Sequence, residues 1–404
     1  MNSDFGRFFC YNLDMKKIIV KAQAAKRLKN GYPLIVAEDL VEEGVLEGFV
    51  AIYDQKQQFI GKGYLSKQNK GMGWLLTNRD EPINQAFYEE KFEKAKTIRD
   101  SFFSDQQTNA FRLFNGEGDG IGGLTVDFYA NYAVFSWYNP FIYLNKLEIL
   151  TAFSNIYPEI CGIYEKIRFS NQDNIESQFV SGQRASEPLI VTENGVHYAT
   201  YLDKGLMTGI FLDQKNVRGA LADGLAAGKR MLNMFSYTGA FSVASAFGGS
   251  IQTTSVDLAK RSLEKTSEQF SVNDIDPATQ KIYVMDVFGY FGYAKKKELT
   301  YDLIVLDPPS FSRNGKKTFS VAKNYGELVE DAIDILDDFG ILICSTNAAN
   351  VSRKKFHQLV SSALTKKNVH FDIFQEEHLP KDFHVAETFP EGDYLKVLFV
   401  KIRK

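Results

Sequence analysis

The stretch RMLNMFSYTGAFS, residues 230–242, sets the architecture. Its first half is an apolar run of strand length. At Ser-Tyr-Thr-Gly it breaks into small residues that open a helical segment. The same unit then recurs. IQTTSVDL (251–258), KIYVMDV (281–287), YDLIVLD (301–307) and GILICST (340–346) are further strand-length runs with helical segments between them. Strands alternating with helices imply an α/β domain with a parallel sheet. HFDIFQ (370–375) and YLKVLFVKI (394–402) add two strands across a PEG turn. No internal repeat or low-complexity tract interrupts the pattern.

Open α/β sheets bind ligands outside the carboxyl ends of their strands, so those ends carry the candidate ligand contacts. The first runs into the turn at Gly239, where small residues let the backbone approach a ligand. It carries no G-x-G-x-x-G, so it lacks the cradle a pyrophosphate needs. The second ends at Asp257, about 20 residues on, where a carboxylate suits a ribose diol. The third ends at Asp286, placed to accept from the exocyclic amine of adenine. The fourth ends in Asp307-Pro308-Pro309. Any one aspartate at a strand end is commonplace. Four such strand ends in register, three of them aspartates and one the Gly239 turn, describe a nucleoside without polyphosphate, which points to S-adenosylmethionine and away from a dinucleotide dehydrogenase. The two prolines are a rigid strand exit on the plainest reading, and rigidity is also what in-line methyl transfer requires.

At 404 residues, 44% hydrophobic and 24% charged, the chain has the length of two or three domains and a globular composition. Residues 16–80 read as five short strands (IIVKA, LIVAEDL, GFVAIYD, FIGKGYL, GWLLT) split by glycine turns, a small β-barrel of RNA-binding size. EPINQAFYEEKFEKAKTIRDSFF (81–103) is an amphipathic helix. A glycine-rich turn, a hairpin at Ala130-Asn131, a helix at Leu144–Phe153 and the strand GIYEKI complete an α+β unit to about residue 185. GQRASEP then reads as a linker, and ENG (193–195) as a hairpin turn. Three scattered cysteines without C-x-x-C indicate neither a disulfide framework nor a zinc site. A reducing, cytoplasmic setting is expected, with no metal, no signal peptide and no bilayer-spanning run. Net charge is −3, so any nucleic-acid contact must be local. MKKIIVKAQAAKRLKN (15–30) is such a patch, with Lys16, Lys17, Lys26 and Arg27 among its cations; the bland alternative is a solvated helix face.

FSYTGAFS, the spaced Asp257 and Asp286, and LDPPSF together resemble a class I methyltransferase. More specifically, the chain resembles the bacterial large-subunit rRNA methyltransferases that carry an N-terminal PUA domain. FRLFNGEGDGIGGLTVDFY (111–129) is similar to that family's middle-domain signature. TENGVHYATYLDKGLMTGIFLDQKNVR (192–218) is similar to its hairpin and the turn that follows, and TFPEGDYLK (388–396) matches near the end. The resemblance covers about residues 16–404. It implies a Rossmann-like methyltransferase domain over 186–404, a middle α+β domain over 81–185 and a PUA-like barrel over 1–80, with 1–15 expected to be disordered. It also implies that Gln214 meets the methionine end of the cofactor. Asn233, Phe235, Ser236, Tyr237 and Gly239 would hold the cofactor from the first turn, with Asp257, Asp286 and Asp307 at the later strand ends. Structured RNA, 23S rRNA on this resemblance, would be the partner, no membrane is implied, and a homodimer is compatible with the aromatic-rich middle domain.

The acceptor atom is the open question. Carbon-5 of cytosine needs a cysteine thiolate added at C6 first, and C5-methylating relatives place that cysteine on the turn after the fifth strand. In GILICSTNAAN (340–350) the gapless match puts Asn347 there, with Cys344 three residues earlier in the strand. A guanine-N7 methyltransferase domain of large-subunit rRNA is similar in two places, DPPSFSRNGKK and STN. Guanine N7 attacks without covalent help, so Asn347 could orient the base and Asp307 could offset its developing charge. Asn347 as a mere turn residue is the plain alternative. Exocyclic-amine enzymes resemble [DNS]-P-P-[YFW]; here Ser310 follows the prolines and Phe311 comes next, so Phe311 is the candidate for stacking on the base. Guanine N7 is the favoured acceptor, with cytosine C5 through Cys344 as the alternative. A non-catalytic RNA-binding assembly factor and a small-molecule or protein methyltransferase are the rival classes.

Overall fold

The computed structural model describes residues 15–42, 44, 47–314 and 317–404. The expected disorder of residues 1–15 therefore falls, Met15 apart, outside the described residues.

The N-terminal unit is a five-stranded sheet of β1 (Lys16–Val20), β2 (Leu34–Ile35), β3 (Gly48–Asp54), β4 (Phe59–Gln68) and β5 (Gly71–Thr77), in the order β1-β3-β4-β5-β2. The five expected strands are all present. The basic patch becomes β1 and the helix Ala22–Lys29, whose apolar face buries Ala24, Ala25 and Leu28 against Val20, Val50 and Ile52.

The middle unit is a second five-stranded sheet of β6 (Ala110–Asn115), β7 (Leu124–Tyr129), β8 (Tyr132–Trp137), β9 (Gly162–Ile167) and β10 (Ser177–Gly182), in sequential order. The β7–β8 hairpin turns at Ala130 and Asn131, both at positive φ. Helices Gln85–Ile98 and Lys146–Ile156 cover the sheet and close an aromatic core around Phe92, Phe135 and Phe153. A two-stranded hairpin, β11 (Leu189–Glu193) and β12 (Val196–Thr200), follows.

The C-terminal sheet comprises β13 (Arg230–Met234), β14 (Gln252–Asp257), β15 (Lys281–Val284) and β16 (Tyr301–Leu306), then β19 (Leu336–Thr346), β20 (His370–Glu377) and β21 (Lys396–Arg403) after a small hairpin of β17 (Phe311–Asn314) and β18 (Lys317–Ser320). Its order is β15-β14-β13-β16-β19-β21-β20, and every pairing is parallel except the two made by β21. Leu232, Leu303, Ile304, Val305 and Leu342 are fully buried, as a parallel sheet covered on both faces requires. The strand order reverses between β13 and β16, so the ligand crevice opens above their carboxyl ends.

The link from β20 to β21 is longer than the PEG turn led us to expect. It runs over residues 378–395 and returns to the other two units. Arg99 Nη2 donates to the Asp382 carbonyl (2.7 Å), and Asp382 Oδ2 accepts from Arg112 N (2.8 Å) and Lys215 Nζ (2.9 Å). Phe389 packs edge-on to Tyr32 and Trp74. The strap passes so close to Gly118 that a Cβ there would lie 1.9 Å from the His384 carbonyl oxygen.

Candidate active site

Above the switch point lies a cavity of about 840 Å³. Its walls include Gln214, Phe235, Ser236, Tyr237, Asp257, Asp286, Asp307, Pro308, Pro309, Ser310 and Asn347, so residues spread over 134 positions of sequence converge as the strand ends implied. The turn after β13 is the most constrained backbone in the site. Phe235 (φ 61°) and Tyr237 (φ 52°) take up the left-handed region at either side of Ser236, and Gly239 (φ 79°) does so next. Two such non-glycine residues in one turn each cost about 1–3 kcal/mol and persist where surrounding contacts hold them. Here Asp257 Oδ2 accepts from Tyr237 N (2.8 Å), and Thr238 Oγ1 donates to the Gly209 carbonyl (2.7 Å). A Cβ on Gly239 would meet Thr266 Cγ2 at 2.5 Å.

Asp257 is fixed from two sides, its Oδ1 accepting from Ala259 N (2.8 Å). Each oxygen retains a second lone pair for a diol at the cavity wall. Asp286 caps the helix Val287–Lys296 through Gly289 N (3.0 Å). Phe288 and Phe319, which the sequence reading missed, line the same side, with ring centroids 5.9 Å apart. Phe288 lies two residues past Asp286, and that proximity was the available signal; Phe319 arrives on β18, a strand the sequence did not announce.

At the opposite end Gln214 Nε2 donates to Asp307 Oδ1 (3.1 Å) and Ser345 Oγ (2.7 Å). Burial pushes the Asp307 carboxyl up to about 6, with the nearby Asp213 charge adding to the shift. Asp213 is itself raised by burial, and Tyr394 Oη donates to its Oδ2 (3.0 Å). Gln214 Oε1 and Ser236 Oγ are buried at this cavity with no partner among the described residues. Polar groups so placed fit the amino-acid end of S-adenosylmethionine, as Asp257 and Asp286 fit its nucleoside end.

Two residues, Asn233 and Phe311, differ from their expected places, and Cys344 lies within its strand. Asn233 is fully buried, donates to Ser242 Oγ (3.1 Å) and lies beneath the cavity, because its position on β13 faces the helix Ala240–Phe247. Cys344 is also fully buried, inside the core beside Tyr325; burial pushes its thiol up to about 12. Burial of this kind disfavours the thiolate at neutral pH. Phe311 is 63% exposed on β17 and does not line the cavity. Ser310 does, and its Oγ donates to Asn347 Oδ1 (2.8 Å).

The turn bearing Asn347 is held by Lys396, whose buried Nζ donates to the carbonyls of Ala348 and Val351 (both 2.8 Å). Tyr325 Oη ties the ends of β16 and β19 together through the carbonyls of Leu306 (3.2 Å) and Ser345 (3.0 Å). Asn347 also borders a second cavity of about 490 Å³, walled by all three units, which shares Met207, Phe211, Asp213 and Tyr237 with the first. The basic patch lies apart from both cavities. Lys16, Lys17 and Lys26 are exposed, whereas Arg27 is ion-paired to Asp39 (2.8 Å) within the fold and is better read as a structural cation. No group of three or more His, Cys, Asp or Glu among the described residues could hold a metal ion, and no helix there is long and apolar enough to cross a membrane.

Comparison with known proteins agrees with this geometry. Residues 151–387 match the S-adenosylmethionine-dependent methyltransferase family, and residues 18–78 match a PUA-like domain. The chain is 47% identical to YwbD of Bacillus subtilis (strain 168), provisionally named a ribosomal RNA large subunit methyltransferase, across 96% of this chain and 100% of that one. It is 27% identical to ribosomal RNA large subunit methyltransferase I of Aeromonas salmonicida (strain A449), across 94% and 97%. The crystal structure of SMU.776, provisionally named a methyltransferase and complexed with SAH, superposes with a TM-score of 0.91 at 44% identity, covering 96% of this chain and 100% of that one. The chain belongs to the S-adenosylmethionine-dependent methyltransferase family, in the form that carries an N-terminal PUA-like domain.

Proposed function

We propose that this methyltransferase acts on large-subunit ribosomal RNA in the cytoplasm and methylates a guanine at N7, with no covalent bond between enzyme and base. One observation carries the choice of atom: an amide, Asn347, stands where the two cavities meet, while Cys344 is buried with its proton held. Attack from cytosine C5 needs a thiolate at C6. Guanine N7 has an in-plane lone pair and needs none. Because Ser310 donates to Asn347 Oδ1, Nδ2 is left as the donor. Guanine carries the O6 acceptor beside N7, whereas adenine carries an amine there, so the amide favours guanine.

S-adenosylmethionine supplies a methyl group on a sulfonium, electrophilic enough for an unassisted ring nitrogen. Gln214 and the Phe235–Gly239 turn would orient the methionine end, and Asp257 and Asp286 the nucleoside. Asp307, ionised above pH 6, would offset the positive charge that grows on the purine. In this reading residues 1–80 hold RNA, 81–185 wall the acceptor cavity and 186–404 carry the chemistry. The names of the relatives support the ribosomal substrate. The base must leave any helix to reach the cavity, and Lys16, Lys17 and Lys26 are free of described acidic partners to hold phosphates meanwhile. The test is mass mapping of ribosomal RNA from a strain lacking the gene. Loss of one 7-methylguanosine from large-subunit RNA, restored by the wild-type gene, is the expected result; loss of a 5-methylcytidine would overturn it.

A further inference from the structure

Four cations line the second cavity: Lys70, Arg112, Lys166 and Arg168. Two are matched in place, Lys70 by Glu117 (2.7 Å) and Arg112 by Asp127 (2.6 Å). The other two have only neutral partners. Lys166 Nζ donates to the Gly205 carbonyl (2.6 Å) and Ser177 Oγ (3.2 Å). Arg168 donates from Nε to Ser136 Oγ (3.2 Å) and from Nη2 to the Leu206 carbonyl (3.0 Å). Neither forms an ion pair within 4.0 Å among the described residues.

Lys166 is fully buried near the end of β9. Burial pushes its ammonium down to about 8; the Asp203 and Glu176 charges oppose that shift and the Arg168 charge adds to it. With both carboxylates short of ion-pairing either cation, the pair retains capacity for an anion from outside the chain. A phosphodiester supplies one through charge-assisted hydrogen bonds. The cavity is also in the right place, because Asp213, Tyr237 and Asn347 line both it and the cofactor cavity.

We propose that Lys166 and Arg168 form a phosphodiester clamp that grips the RNA backbone beside the extruded nucleotide while the base enters past Asn347. The clamp rests on the RNA-methyltransferase reading above. It assigns the middle unit a direct role in holding substrate.

The experiment titrates a labelled rRNA fragment against the full chain by fluorescence anisotropy between 50 and 200 mM salt, roughly the range over which phosphate contacts weaken most visibly. The proteins are the wild type, Lys166→Met, Arg168→Gln and Arg168→Lys, with S-adenosylmethionine affinity measured on each as a check of fold. Lys166→Met and Arg168→Gln should each weaken RNA binding about tenfold. Each should also flatten the slope of log K against log salt by about 0.7–0.9, with cofactor affinity unchanged. Arg168→Lys should keep the wild-type slope. Should buried Lys166→Met lose cofactor affinity through misfolding, the half-exposed Arg168→Gln decides the matter alone. Unchanged RNA affinity and slope in a variant that binds cofactor normally overturns the clamp. So does inorganic phosphate binding that Arg168→Gln removes while RNA binding stays intact, since that marks a small-anion site. If the wild type methylates no rRNA fragment yet the slopes fall as expected, the clamp stands and the proposed function fails.

Discussion

Replacing Cys344 by alanine separates the two candidate chemistries, and the structure sets the size of each outcome. Cys344 is fully buried in the core between β19 and the helix Val321–Ile335. Removing its sulfur forfeits roughly 0.8 kcal/mol of transfer free energy, by analogy with one methylene. The small cavity left behind adds a few tenths at about 24 cal/mol per Å³. A total near 1 kcal/mol corresponds to a fall in Tm of about 2–4 °C for a domain of this size. Were the thiol a nucleophile, turnover would drop by roughly 10⁴-fold or more. The assay is transfer of a labelled methyl group from S-adenosylmethionine to unmodified large-subunit rRNA, with a melting curve on the same samples. We expect kcat within twofold of wild type in Cys344→Ala. Asn347→Ala, on an exposed turn, should leave Tm within about a degree yet lower kcat/KM about 10- to 100-fold by removing the donor to the base. Loss of turnover in a well-folded Cys344→Ala, with Asn347→Ala fully active, would refute the reasoning.

Asp257→Ala should weaken S-adenosylmethionine about 10- to 100-fold in a calorimetric titration, since it removes the diol acceptor and frees Tyr237 N; unchanged affinity would mean the ribose lies elsewhere. Because burial raises the Asp307 carboxyl to about 6, kcat/KM should fall about tenfold per pH unit below 6 and level off above it. In Asp307→Asn the profile should be flat and low. The strap is testable by its own pH signature. Burial opposes ionisation of Asp119, but His384 and Arg99 outweigh it and hold its carboxyl below the usual range, while Asp119 raises His384. The Asp119 contribution is thus full above about pH 4 and lost as pH falls through its lowered value. The His384 contribution is full below about pH 6.5 and lost as pH rises through its raised value. Asp119→Asn should cost about 3–5 kcal/mol at pH 7 by stranding buried Arg99, and His384→Gln should lower Tm more at pH 6 than at pH 8.5.

The parallel sheet was legible because β-strands buried on both faces spell continuous apolar runs, as in YDLIVLD and GILICST. Its ligand end was legible because turn chemistry and strand-end carboxylates follow each run at once. Asn233 was misplaced for a physical reason: the side-chain period of a strand is two, so a residue one step before the turn can face the helix and not the crevice. Cys344 is buried as its position within the apolar run of the strand requires. What the sequence withheld depends on long-range return of the chain. Phe319, Lys396 and Lys166 act on the site from β18, β21 and the middle sheet, and local pattern carries no record of which distant cavity a strand will border. The strap was read as a turn because PEG is a turn signal, and contacts such as Phe389 on Trp74 and Arg112 N on Asp382 show that it crosses to another unit.

That crossing bears on how the enzyme keeps its geometry. Methyl transfer needs donor and acceptor aligned to within a fraction of an ångström, yet the acceptor cavity is walled by three separate units. Their relative position is set by the strap, where the Asp382 carbonyl accepts from Arg99 and its Oδ2 from Arg112 N, with buried ion pairs inside each unit holding the bonded groups in place. Arg218 with Glu193 (2.6 Å) ties the hairpin to the approach of the cofactor cavity, and Lys215 with Asp382 (2.9 Å) ties that same helix to the strap. Arg99 with Asp119 (2.7 Å) sits under the strap carbonyl of Asp382. Such pairs add little net stability compared with apolar packing, but losing one partner is expensive. They therefore fix the groups that bond to the strap, and it is those bonds to Asp382 that act against sliding between units. Apolar contacts alone, such as Phe389 on Trp74, tolerate small shifts at small cost; directional bonds to Asp382 from three different segments do not. The proposed substrate cavity is bordered by the same strap that joins the domains, so the bonds that align its walls are made within the chain itself.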